Sequence, residues 1–154
     1  MTKVYLDVCC LNRPYNDQTQ ERIRLEAVAV LSILTRVENG GLLSVSSTVV
    51  QTEINNNSNQ EIRLRLQELG NAATEFVKVE KEQIERADAL QDLGFHLFDA
   101  LHIACAETAG ADVFLTTDDR LLRLALRVKE QLTVRVANPA NWLMEVITNE
   151  RNDD

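Results

Sequence analysis

The chain predicts an α/β fold with a central parallel sheet covered on both faces, and three features predict it. Five short apolar or β-branched runs alternate with segments of helical spacing. The first of these runs is apolar without alternation, as in a strand buried on both sides. Two aspartates, Asp7 and Asp118, each fall at the C-terminal end of a run, the end at which such sheets bind their ligands.

Lys3 to Val8 reads as the first strand, with Asp7 near its end. From Glu21 to Glu38 the positions Ile23, Ala27, Val30, Leu31, Leu34 and Val37 recur at helical spacing, and Asn39-Gly40-Gly41 supplies the stop. Leu42 to Val45 is a second strand. Ser46 or Ser47 then caps a helix that carries Val49, Val50, Glu53 and Ile54. The Asn55 to Asn59 stretch interrupts helix, because Asn and Ser side chains compete for the backbone.

A helix from Gln60 to Leu69 is expected to stop at Gly70, and Glu75 to Val79 alternates as a third strand. Glu82 to Leu93 is helical and closed by Gly94. Phe98 to Ala106 is a helix apolar almost all round, which implies burial, and Gly110 ends it. Asp112 to Thr116 is a strand, Asp119 to Lys129 a helix with Asp118 before it, and Leu132 to Val136 the last strand. Asn138-Pro139 places a capping residue and an N1 proline ahead of a final helix. The expected organisation is one domain over 1–149 and a fraying polar tail over 150–154.

No apolar run approaches the roughly 18 residues of a membrane span, and the N-terminus lacks the pattern of a secretory signal. Three cysteines, two of them adjacent, suit reduced thiols, so a soluble cytoplasmic protein is expected. The 24 acidic and 16 basic residues leave a charge of −8, which argues against a broad basic surface for nucleic acid. Two bound divalent cations would move that −8 to −4. A local positive rim is still available from Arg13, Arg22, Arg24, Arg63, Arg65, Arg120, Arg123 and Arg127, whose alternative role is a solvated helix face.

Four acids interrupt apolar text or stand at strand-to-helix junctions: Asp7, Glu53, Asp99 and Asp118. Taken singly, Asp99 and Asp118 also suit helix N-caps, and Glu53 an exposed helix position. Taken together they suggest a cation site. Two carboxylates about 4 Å apart repel by roughly 4 kcal/mol at an effective dielectric near 20, so a converging set is costly to leave bare. Hard oxygen donors select Mg²⁺ or Mn²⁺, and such a site activates water for phosphodiester hydrolysis.

Other chemistries fare worse. No Gly-rich phosphate loop or dinucleotide fingerprint is present. His102 and Cys105 lie three apart without a second ligand pair, and core packing suits them better than zinc. Cys9 and Cys10 follow the first strand with no histidine nearby in sequence to activate them.

Tyr5-Leu6-Asp7, Thr52-Glu53-Ile54, Asp99-Ala100-Leu101-His102-Ile103-Ala104 and Leu115-Thr116-Thr117-Asp118 together resemble the PIN-domain nucleases over essentially the whole chain. The resemblance implies a Rossmann-like three-layer α/β/α sandwich with a central parallel sheet of about five strands. It implies metal ligation and catalysis by Asp7, Glu53, Asp99 and Asp118, with Thr116 as the hydroxyl two residues before the last acid. It implies Mg²⁺- or Mn²⁺-dependent cleavage of single-stranded RNA. Many short members are VapC-type toxins that form homodimers and are held by a small antitoxin. A non-catalytic PIN-like module binding RNA or protein is the alternative, and a structure-specific DNA nuclease a third reading.

The chain departs from the family pattern after its first acid, where Val8-Cys9-Cys10 replaces the usual small hydroxyl or Asn. Asn12 and Arg13 are the candidates to substitute there: Arg13 suits either a phosphate or a loop anchor to Asp17.

Overall fold

The structure is a computed structural model, and it describes residues 1–152. Within them, β1 (Lys3–Leu6), β2 (Leu43–Ser47), β3 (Glu75–Val77), β4 (Val113–Leu115) and β5 (Arg135–Ala137) form one all-parallel sheet in the order β3-β2-β1-β4-β5. Successive residues of a strand face opposite ways. Val4, Tyr5 and Leu6 are nevertheless all buried, so helices must cover both faces of the sheet. The result is the expected α/β/α sandwich. No helix among the described residues is long and apolar enough to cross a membrane.

The sequence reading places β1 two residues too long. Asp7 donates its N–H to the Leu115 carbonyl at 2.9 Å, completing the sheet, while its own carbonyl accepts from Cys10 N and opens the short helix α1 (Val8–Asn12). Val8, Cys10 and Leu11 of α1 are buried. Four consecutive apolar residues carry no period, so strand and helix cannot be told apart in that run.

Helix α2 (Glu21–Glu38) lies where its periodicity puts it. Ser47 caps α3 (Thr48–Asn55), its Oγ accepting from Val50 N at 3.2 Å. Helix α4 (Gln60–Asn71) continues through Gly70 rather than stopping there. The expected stops Gly40, Gly94 and Gly110 hold φ of 81°, 113° and 65°, whereas Gly70 is not among the positive-φ residues. Helix α5 (Lys81–Asp92) opens with a capping box between Glu80 and Gln83, and α6 (Leu97–Thr108) starts one residue earlier than expected.

Helix α7 (Asp119–Arg127) leads through a short 3-10 turn to β5, which begins three residues later than expected. Asn138 Oδ1 accepts from Ala140 N at 2.8 Å and caps α8 (Pro139–Asn152). The tail expected to fray from Glu150 is helical through Asn152, and Glu150 pairs with Arg36 of α2 at 2.6 Å. The remainder of that segment, 153–154, lies outside the described residues.

The connections fix where a site can form. From β1 the chain steps outward through β2 to β3, then returns to lay β4 on the other side of β1. The crevice beyond the ends of β1 and β4 is therefore the switch point of the sheet. Leu6 is in register with Leu115, so the residues that follow, Asp7 and Thr116, meet there.

Candidate active site

Thr116 is fully buried, and its Oγ1 donates to Asp7 Oδ2 at 2.8 Å and accepts from Asp118 N at 3.2 Å. One hydroxyl thus ties the end of β1 to the turn after β4. The same Oγ1 lies 3.4 Å from Cys9 Sγ, which also accepts from Thr117 N at 3.4 Å. Cys9 is therefore packed into the support of Asp7. Burial pushes the Cys10 thiol well above its ordinary range and that of Cys105 up to about 11, opposite to what an activated nucleophile requires.

Glu53, on the last turn of α3, accepts from His102 Nε2 at 2.6 Å, and the same nitrogen lies 3.8 Å from Asp7 Oδ1. Asp7, Glu53 and His102 bring ligand-capable atoms within 4.8 Å of one another. The core role expected of His102 is therefore incomplete: it is fully buried, but it is bonded into the acid cluster. Its Nδ1 meets Tyr5 Oη at 2.7 Å, and Tyr5 Oη meets Ser47 Oγ at 2.6 Å.

With neutral imidazole, Ser47 donates to Tyr5 and Tyr5 to Nδ1; with imidazolium the two hydroxyls reverse. In both states Nε2–H points at Glu53. Burial alone would push His102 down, but the hydrogen bond to Glu53 and the charges of Asp7, Glu53 and Asp99 hold it above its usual value. The spacing of three between Asp99 and His102 was the available signal, since such residues share a helix face. The partners Tyr5 and Glu53 are far away in sequence.

Tyr5→Phe is expected to cost about 1–2 kcal/mol, because it leaves two buried polar groups short of a partner while the ring keeps its packing on Phe114, 5.4 Å away between centroids. Urea denaturation measures that loss. A variant as stable as the parent would show that this chain of hydroxyls does not hold Glu53.

Asp99 does not cap α6. His96 is the N-cap residue, and Asp99 lies in the first turn. Burial, then the charges of Asp7 and Asp118, push its carboxyl up to about 6; the opposing influences of His102 and His96 are weaker. Asp118 does cap α7, its Oδ1 accepting from Arg120 N at 2.9 Å and Leu121 N at 3.3 Å. Its second oxygen is left for another partner. The structure thus gathers Asp7 and Glu53 around His102, within 4.8 Å of one another, and sets Asp99 and Asp118 close enough to repel.

An oxygen-rich donor set that includes a carboxyl raised by burial and by neighbouring charge fits a hard divalent cation. A folded-state value near 6 against roughly 3.9 unfolded means that the metal-free fold holds an extra proton, so its stability falls as pH rises from about 4 to about 6. Asp99→Asn removes that penalty. Thermal melts in EDTA at pH 7.5 should place this variant above the parent, and added Mg²⁺ should raise the parent more. The reverse order would mean that the carboxylates are not in conflict.

The expected rim is thinned by pairing. Arg13 bonds Glu26 and Asn16, each at 2.9 Å, so it anchors the loop, though not to Asp17, whose carboxylate accepts from Thr19 N. Asn12 makes no side-chain cap bond. Arg22 pairs with Glu26 and Asp119, Arg65 with Glu61, while Arg24 and Arg63 donate to the carbonyls of Gln18 and Asn57. Arg120, Arg123 and Arg127 of α7 have no ion pair among the described residues.

Compared with known proteins, residues 2–126 match the sequence model of the PIN domain. Among solved structures, the chain is similar to one titled VapBC2 from Rickettsia felis bound to a DNA fragment from their promoter, with 11% identity, a TM-score of 0.55, and coverage of 89% of this chain and 98% of that one. At that identity the likeness is one of fold. No curated protein sequence matches significantly.

Proposed function

Since the chain belongs to the PIN-domain family, we propose that it is a metal-dependent endoribonuclease acting on single-stranded RNA. The observation that carries this is the convergence of Asp7 and Glu53 at the sheet's switch point, with the Asp99 carboxyl pushed up by burial and then by the charges of Asp7 and Asp118. Charge repulsion of this kind destabilises a fold and is kept where a cation offsets it.

Asp7, Glu53, Asp99 and Asp118 would hold Mg²⁺ or Mn²⁺. When bound, the cation supplies an activated water and Lewis-acid stabilisation of the phosphoryl oxygens. The protein supplies position. Thr116 holds one Asp7 oxygen, His102 holds one Glu53 oxygen, and the backbone N–H groups of α7 hold one Asp118 oxygen. Each carboxylate keeps a second oxygen free of those bonds, so orientation is set without consuming the ligand atom.

A role as the toxin of a toxin–antitoxin pair, working as a homodimer in the cytoplasm and held by a small antitoxin, is part of this reading. Its support is the shared fold with a structure whose title names a VapBC complex. The test is digestion of a mixed single-stranded RNA by purified protein with Mg²⁺, Mn²⁺ or EDTA. Metal-dependent cleavage is expected. Metal binding without cleavage of RNA or of flap DNA would instead favour the non-catalytic binding module.

A further inference from the structure

We propose that Arg120, Arg123 and Arg127 form a phosphate-binding ladder along α7 that leads single-stranded RNA to the acid cluster, an inference that rests on the reading of the site above. The three arginines are spaced i, i+3 and i+7, so they share one helix face. They line a groove of about 540 Å³ with Leu93, Gly94 and Leu126. From Arg120 to Arg127 the helix rises roughly 10 Å. All three are exposed, and none has a carboxylate partner among the described residues, in a chain of net charge −8.

The ladder starts at the site. Asp118 is the N-cap of α7, two residues before Arg120, and Arg120 Nη1 lies 3.1 Å from Nδ1 of His96, the N-cap of α6, three residues before Asp99. Arg127 also suits the negative end of the helix dipole, but that interaction occupies none of its N–H donors. Guanidinium groups bind phosphate bidentately, and an otherwise acidic surface repels RNA elsewhere, confining productive approach to this strip. Phe98, 42% exposed and adjacent to Asp99, offers a ring face for one unpaired base. That feature favours single strands over duplex.

The test is binding of a labelled mixed-sequence single-stranded RNA in EDTA, followed by anisotropy across KCl concentrations. Without metal nothing is cut, so binding and cleavage are read separately. The slope of log K against log[KCl] should flatten by about 0.7 for each Arg→Ala substitution, and by roughly 2 for all three. The triple variant should lose roughly tenfold or more in affinity at low salt. Arg→Lys at the three positions should keep most of the slope, and Phe98→Ala should weaken binding without changing it. Arg65→Ala on α4 is the control.

Unchanged affinity and slope in the triple variant, or no binding by the parent, would overturn the ladder. Equal binding of duplex RNA, of single-stranded DNA, or of an acidic peptide that displaces the RNA through the same arginines would overturn the assignment to single-stranded RNA. Slopes that follow the arginines in a protein that cuts nothing with any metal would uphold the ladder and sink the nuclease.

Discussion

Asp7→Asn and Asp99→Asn are each expected to lower cleavage of single-stranded RNA by about 10³-fold in kcat at saturating Mg²⁺, with the fold retained. Each substitution removes one negative charge from the proposed cation site and keeps the shape of the side chain. A divalent ion acting on a phosphoryl centre is worth several kcal/mol of transition-state stabilisation, and each 1.36 kcal/mol is tenfold in rate. Asn at position 7 still accepts the hydrogen bond from Thr116 Oγ1, so the tie between β1 and the turn after β4 survives.

Asp118→Asn should keep the α7 cap, since its amide oxygen still accepts from Arg120 N and Leu121 N, and should lose activity alone. Asp118→Ala should in addition lose about 1 kcal/mol of stability. Cleavage at the parental rate in Asp99→Asn would place the chemistry elsewhere. Loss of activity together with unfolding would show that Asp99 supports the fold, contrary to a carboxyl raised by burial and by its neighbours.

The strand-end placement of Asp7 and Asp118 is legible in sequence because each follows a short apolar run and precedes a helix signal, and the structure sets both at the switch point. Helix α2 is legible from its period, and three helix stops from glycines that take positive φ. Gly70 misleads because a glycine inside a helix carries the same letter as one that ends it. His102 misleads for a different reason: an imidazole in apolar text looks like packing, and nothing local reveals that Glu53 and Tyr5 reach its two nitrogens. Side-chain pairing with Glu26 and Asp119 also removes Arg13 and Arg22 from the expected rim, while the arginines of α7 keep no ion pair among the described residues. What remained hidden is long-range polar contact, which has no period.

Glu26→Ala is expected to destabilise the protein by about 3 kcal/mol, although Glu26 touches none of the four acids. On sequence it is one glutamate among the charges of α2, yet it is 2% exposed. Oε1 accepts from Arg13 Nε at 2.9 Å; Oε2 accepts from Asn138 Nδ2 at 2.6 Å and Arg22 Nε at 3.3 Å. One carboxylate therefore joins the loop after α1, the first turns of α2 and the cap of α8. Arg22 is half exposed and contributes little, whereas Arg13 is mostly covered, so removing the carboxylate strands a guanidinium and an amide.

At roughly 2–4 °C per kcal/mol for a chain of this size, the melting temperature should fall by about 6–12 °C, with the urea m-value unchanged. Arg13→Ala should lose a comparable amount, and the double variant less than the sum, because the two share one interaction. If Arg13 instead served a substrate phosphate, its removal would raise KM and leave stability alone. A loss below about 1 kcal/mol for Glu26→Ala would mean that burying this charge costs as much as its three partners return, and the loop after α1 would then owe its position to Leu11 and its apolar neighbours.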